Sequence, residues 1–394
     1  MSGREFIQLP GPTNIPDRVL EAYRRPIIDF AGPKFREILD DVFNRLPAVF
    51  SGADHVVSYI SNGHGAWEGT LRNIVRPGEM VLLADTGMFS GRWGDMVEGL
   101  GCKLRVTPAR IREGADVAAV RDAIAADADH EIKALLIAHT ETSTGVRTDL
   151  APLRAALDEF DHPALIVVDA IASLGTEVLR VHELGLDVII SASQKGLMMP
   201  PGLSFAAVSD RALEISREIH EHDSYWAWPS RLDVSAPYRR YGGTPPEQAV
   251  FAMQVALDMI DEEGGVDGVI ARHARLADAA RAAIAVWAEG GALEFNAINP
   301  HERANAVTAI RLAEGIDGEL LKATCRDRFS VTIGGGMLDM ADGRGVRIGH
   351  LGDLNEPMIL GALAGVETTM RVLGIPVGAG ALDAAIASLA ASSS

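Results

Sequence analysis

Cysteine is scarce in this chain: among 394 residues only Cys102 and Cys325 occur. A disulfide framework is therefore not implied, and a reducing, cytoplasmic setting fits. No run of apolar residues approaches the roughly 20 needed to span a bilayer. The first residues, Met1-Ser2-Gly3-Arg4-Glu5, lack the apolar centre of a signal peptide. Positive charge is also in deficit. The formal net charge of −18 disfavours general affinity for nucleic acid or for an anionic membrane surface, so an anionic ligand requires cationic groups held locally. No H-x-x-x-H or C-x-x-C spacing points to a metal, and neither a G-x-S-x-G elbow nor a Walker A sequence is present.

The hydrophobic fraction is nonetheless 47%, and the length suggests about two or three domains. Residues 1–20, with Leu9-Pro10-Gly11-Pro12-Thr13 and Pro16, read as extended, turn-rich chain. Strand candidates follow at His55–Ile60, Met80–Ala84, Lys103–Val106, Ala134–Ala138, Ala164–Asp169, Val188–Ser191 and Ser204–Val208. Helical stretches such as Val117–Ala126 and Leu153–Phe160 separate several of them. Near-continuous apolar strands alternating with helices indicate a mostly parallel sheet covered on both faces. The pattern breaks into loop at His222–Trp228 and Ala236–Pro246, then resumes with a helix over Glu247–Glu263. After Gly290 come strand Ala306–Arg311, helix Asp317–Arg326, strand Val346–Gly349 and helix Glu356–Leu373, enough for a smaller α+β domain; the tail Ala390–Ser394 reads as frayed. The expected division is an N-terminal extended segment (1–20), a large domain (21–263) and a small C-terminal domain (264–394).

Lys195 is the most informative residue. The strand Val188–Ser191 runs into the polar loop Ala192-Ser193-Gln194-Lys195-Gly196, and the strand Ala164–Val168 ends on Asp169, 26 positions before Lys195. Two such strands side by side bring a lysine and a carboxylate to one sheet edge. An imine-forming lysine and a carboxylate that holds a pyridinium proton are the two groups pyridoxal phosphate requires. Other segments admit two readings when taken singly. Ser61-Asn62-Gly63-His64-Gly65 is a plain βα turn or a helix N-terminus offering N–H groups to a phosphate. Phe89 is a core phenylalanine or a ring lying flat on a cofactor. The hydroxyls of Thr140, Thr142, Ser143 and Thr144 cap a helix or contact a ligand at a strand end. Arg347 is a solvent-facing strand residue or a fork for a carboxylate.

Together, in order, Pro10-Gly11-Pro12-Thr13, Ser61–Glu68, Thr86-Gly87-Met88-Phe89, Glu141-Thr142-Ser143-Thr144-Gly145, Val168–Ser173, Ser193-Gln194-Lys195-Gly196, Pro200-Pro201-Gly202, Tyr241-Gly242-Gly243-Thr244-Pro245-Pro246 and Arg347–Gly352 span nearly the whole chain. This set resembles the class V aminotransferases of fold type I, in particular the serine/alanine–glyoxylate aminotransferase group. The resemblance implies an α/β fold with pyridoxal 5'-phosphate as cofactor and a small amino acid and a keto acid as substrates. It implies Lys195 as the covalent attachment point, Asp169 on the pyridine nitrogen, Phe89 on the ring with Ile171 beside it, and Thr142 near the ring hydroxyl. Gly63, His64 and Gln194 would bind the phosphate, joined by Tyr241 and Thr244 from a partner subunit in a homodimer or higher assembly. Arg347 would hold the substrate carboxylate. A pyridoxamine–pyruvate-type aminotransferase and a lyase or desulfurase on the same fold are the alternatives. A desulfurase needs a reactive cysteine on a mobile loop, whereas Cys325 falls in a helical stretch and reads as structural.

Overall fold

A computed structural model describes residues 5–220 and 224–391, so part of the loop expected at His222–Trp228 and the last residues of the tail lie outside the described residues. The strands, in chain order, are β1 (Phe6–Gln8), β2 (His55–Ser61), β3 (Met80–Ala84), β4 (Lys103–Val106), β5 (Ile132–Ala138), β6 (Thr140–Glu141), β7 (Val146–Arg147), β8 (Leu165–Asp169), β9 (Val188–Ala192), β10 (Gly202–Val208), β11 (Leu293–Phe295), β12 (Val307–Leu312), β13 (Val331–Gly335) and β14 (Gly345–Gly349).

Seven strands form one sheet in the order β2-β10-β9-β8-β5-β3-β4. The ladders from β9 through β8, β5 and β3 to β4 are parallel, and β10 alone runs against its two neighbours. Every residue of β8 and β9 is buried, as expected of central parallel strands covered on both faces. One covering layer includes the helices Pro33–Val49 and Glu247–Glu262, which contribute Phe35, Leu39 and Phe251 to the core. The other includes Gly63–Ile74 and Met88–Gly99, which bury Trp67, Leu71, Trp93 and Val97. Burying a side chain such as Leu71 contributes about 1.5–3 kcal/mol relative to exposure.

A second sheet, β1-β13-β14-β12-β11, packs on its own apolar cluster around Leu363, Ile359 and Trp287. The 24-residue helix Gly265–Ala288 spans both cores, with Val269 in the large one and Leu276 onward in the small one. The extended reading of residues 1–20 needs two changes. Phe6–Gln8 is an edge strand paired parallel to β13, and a helix begins at Asp17. Pro16 does not prevent that helix, because it precedes the first turn, where its missing N–H costs nothing. The loop read over Ala236–Pro246 contains a 3-10 turn at Pro237–Tyr241.

Because β2, β3, β5, β8 and β9 all point one way, their carboxyl ends share an edge. The segments Asn62-Gly63, Thr86–Phe89, Thr140–Thr142, Asp169–Ile171 and Gln194-Lys195 all leave the sheet there, the usual place for a ligand in an α/β fold.

Candidate active site

A cavity of about 290 Å³ opens at that edge. Eight of the eleven residues singled out in the sequence line it: Gly63, His64, Phe89, Thr142, Asp169, Ile171, Gln194 and Lys195. Three do not. Arg347 lies just beyond, Tyr241 is buried elsewhere in its own chain, and Thr244 is exposed.

Asp169 ends β8 and pairs in register with Ala138 and Ile190 of the adjacent strands. Its Oδ1 accepts the Ile171 N–H at 2.7 Å and its Oδ2 accepts the Trp67 indole N–H at 3.0 Å. Burial pushes its pKa up to about 7, with the charge of Glu141 adding to the rise and the two N–H donors opposing it. A cation beside it would restore the ionised form.

Lys195 follows β9 by three residues. Its Nζ donates to the Pro10 carbonyl, and the Thr13 N–H and hydroxyl bond the Gln194 and Lys195 carbonyls, so the N-terminal segment closes over the lysine. Gly11 makes this possible: its φ is +128°, and a Cβ there would collide with the lysine side chain. Burial lowers the Lys195 pKa to about 8, with the positive Arg347 lowering it further and Asp169 and Glu141 holding it up. The amine is thus neutral above about pH 8. The rate at which cofactor-free protein captures pyridoxal phosphate covalently is expected to rise with pH through about 8 and level off above it. Stopped-flow absorbance measures this, and a rate that is flat from about pH 6 to about pH 9 rules out a lysine poised in this range.

Asn62 caps the helix Gly63–Ile74 by accepting the Gly65 N–H at 3.3 Å. The first helical residues, Gly63 and His64, line the cavity, and a Cβ on Gly63 would strike Ile171. His64 stands against the Trp67 ring at 4.5 Å between centroids, its pKa lowered by burial and then by Arg92.

Arg347, on β14, is 8% exposed. Its Nε donates to the Gly335 carbonyl at 2.7 Å and its Nη1 to the Thr142 carbonyl at 2.8 Å. This ties the small sheet to the cavity loop and leaves three of five N–H donors for other partners. Burial depresses its pKa to about 10, and the Glu141 charge opposes that. Tyr241 is 2% exposed and packs edge-on against Phe43 at 6.0 Å.

Two residues that sequence reasoning did not single out shape the site. Trp67 lines the cavity and holds Asp169. Glu141 is fully enclosed and accepts N–H bonds from Phe89 (3.1 Å), Ser90 (3.0 Å) and Ser143 (2.9 Å), fixing the turn that presents Phe89. Burial raises its pKa, against those hydrogen bonds. Glu141 stood in a noted segment, but nothing in that segment marked it as the cap of a helix 50 residues away.

Fold and cavity define a fold type I pyridoxal-phosphate enzyme. The family Aminotransferase class-V matches residues 9–338. The chain is 38% identical to serine–glyoxylate aminotransferase from Hyphomicrobium methylovorum, covering 93% of this chain and 90% of the relative. It is 35% identical to L-aspartate–glyoxylate aminotransferase from Paracoccus denitrificans, covering 96% and 94%. Among solved structures it is similar in fold to pyridoxamine-pyruvate aminotransferase from Mesorhizobium loti, with TM-score 0.87, 23% identity and coverage of 99% and 98%. This chain belongs to the class V aminotransferase family. It is a transaminase that uses pyridoxal phosphate.

The residues present fit that cofactor. The Thr140 hydroxyl and Gln194 Oε1 are buried at the cavity without a partner, as groups awaiting a polar ligand are. A buried carboxylate and a buried amine stand at the same strand edge, and glycines lie where side chains would fill the space. Cys325 is fully buried in the helix Gly318–Phe329, with its thiol pushed up to about 11, and is inert as a desulfurase nucleophile would not be. Among the described residues no group of side chains is placed to bind a metal, and no helix is long and apolar enough to cross a membrane.

Proposed function

We propose that this enzyme moves the amino group of a small amino acid (serine, alanine or aspartate) to glyoxylate or a similar keto acid by a ping-pong sequence. The observation that carries the reading is the meeting of Lys195 and Asp169 in one cavity, with Arg347 just beyond it tied to the Thr142 carbonyl, each with its proton affinity shifted chiefly by burial. The names of the two relatives above supply serine and aspartate as donors and glyoxylate as acceptor, and alanine comes from the family resemblance. Bound pyridoxal phosphate provides the electron sink and carries the amino group between the half-reactions. Lys195 Nζ holds the cofactor and, once freed, takes the proton from the donor's Cα. Asp169 keeps the ring nitrogen charged. Phe89 and Ile171 pack the ring, Thr142 serves its hydroxyl, and Gly63, His64 and Gln194 take the phosphate. The free N–H groups of Arg347 take the substrate carboxylate. A half-reaction screen tests the substrates: holoenzyme is mixed with single amines and the loss of the cofactor's visible absorbance is followed. Bleaching by none of serine, alanine and aspartate, under conditions where another amine bleaches it, overturns the donor class.

Arg347→Lys keeps charge but loses the fork. We expect kcat/KM to fall by about tenfold to a hundredfold for both donor and keto acid, equivalent to about 1.5–3 kcal/mol, with little change in bound cofactor. Unchanged kcat/KM for both substrates places the carboxylate elsewhere.

The working unit is proposed to be a cytoplasmic homodimer, with residues 21–263 and 264–394 as its large and small domains behind the segment 1–20. Exposed Thr244, two residues after the left-handed Gly242, suits a contact with a second copy's phosphate. The buried ring of Tyr241 suits support of that loop from within. Mixing Lys195→Ala subunits with Tyr241→Phe/Thr244→Ala subunits is then expected to restore activity, because one hybrid site is whole. No recovery after confirmed subunit exchange argues for sites complete in one chain.

A further inference from the structure

The carboxylate of Asp169 has two anchors, and one of them is unusual in being a large aromatic side chain. The Ile171 N–H is backbone and comes with any residue at that position. The Trp67 indole N–H reaches Asp169 Oδ2 at 3.0 Å across 102 positions of sequence. The indole itself is immobilised. Trp67 is 1% exposed, its ring lies nearly parallel to Trp93 with centroids 5.6 Å apart at 16°, and His64 packs against it at 4.5 Å. Trp67 also stands one turn into the helix whose N-terminus lines the cavity at Gly63 and His64. One rigid helix therefore places the turn proposed for the phosphate and the donor that orients the carboxylate. With an N–H on each oxygen, the carboxylate plane is fixed and one further lone pair on each oxygen remains for a ligand.

We propose that Trp67 is a positioning residue for the transamination, acting through Asp169: its indole N–H sets the direction in which that carboxylate faces the bound cofactor. The proposal rests on the role given to Asp169 above. It also bears on charge, since a donor on the carboxylate favours the ionised form against the burial and the Glu141 charge that oppose it.

The test compares Trp67→Phe, which keeps a stacking ring and loses the N–H, with wild type, Asp169→Asn and the double variant. The readout is the affinity of cofactor-free protein for pyridoxal 5'-phosphate by equilibrium dialysis, together with the pH midpoint of the bound cofactor's absorbance. Trp67→Phe is expected to weaken affinity by about tenfold and to move the midpoint, and to do neither when Asp169 is already asparagine. Equal effects in both backgrounds, or an unmoved midpoint, reduce Trp67 to a packing residue and overturn the proposal. If Asp169→Asn itself changes neither quantity, the Asp169 role fails, a distinct result that takes the proposal with it. A measurement on the wild-type apoprotein guards against a variant that does not fold. One of the five indole N–H resonances in a ¹⁵N-tryptophan sample is expected to titrate between about pH 5 and about pH 9, and to stop titrating in Asp169→Asn. If no indole resonance titrates, the link to Asp169 is refuted.

Discussion

Lys195→Ala is expected to lose turnover by about 10³-fold or more while still folding and still holding some cofactor. Two physical facts set the size of this effect. The lysine is the proposed attachment point and, among the described residues, the only amine lining the cavity, so its loss removes capture of the cofactor and the proton transfer at Cα together. Residues that act as a unit fail as a unit, so the loss is not divided between the two roles. Cofactor retention follows from the other end of the cavity, where the N-terminus of the helix Gly63–Ile74 remains intact. Folding survives because the change removes a buried amine that, among the described residues, hydrogen-bonds the Pro10 carbonyl alone. The check is borohydride reduction followed by peptide mapping. Wild type is expected to carry the reduced cofactor on the peptide containing Lys195, and the variant to release it on denaturation. Near-normal kcat in the variant removes Lys195 from the reaction.

The parts of this site that could be read in the sequence are those whose signal is local. β5, β8 and β9 are apolar runs because both faces of a central parallel strand are buried, and Asp169 and Lys195 stand out because a charge follows each run. Direction is not local. Ser204–Val208 reads as a strand, but nothing in its composition says that it alone opposes its neighbours. β1 is three residues long and pairs with β13 from the far end of the chain, so its pattern is too short to show. The helix Gly265–Ala288 was not singled out, because its many alanines and scattered arginines give weak contrast between its faces. Arg347 was legible as a strand residue, but the use of two of its N–H groups on Gly335 and Thr142 depends on the docking of two sheets. Trp67 and Glu141 were hidden for the same reason. Each acts on a residue some 50 to 100 positions away, and on its own helix or loop looks like packing or capping.

Asp169→Asn is the sharper probe of the chemistry, because it keeps shape and removes charge. Asparagine can still accept the Ile171 and Trp67 N–H bonds through its one oxygen only in part, so the side chain stays near its place while a buried anion disappears. In the unliganded protein the loss is mild, since burial already pushes the carboxyl up to about 7 and Glu141 opposes its ionisation. The protein without cofactor is therefore expected to be as stable as wild type near neutral pH, or more so. A group whose folded pKa lies above its unfolded value detracts from stability once pH exceeds the unfolded pKa, and removing it removes that penalty. With cofactor bound the order reverses. The ring nitrogen loses the anion that keeps it protonated, and the ring becomes a poorer acceptor for the electrons left at Cα. The half-reaction is expected to slow by about 10²-fold or more, several times the effect on cofactor affinity, because the charge matters most where negative charge develops. Single-turnover absorbance measures the rate and equilibrium dialysis the affinity. Equal half-reaction rates for aspartate and asparagine at this position leave the ring nitrogen without its proposed partner.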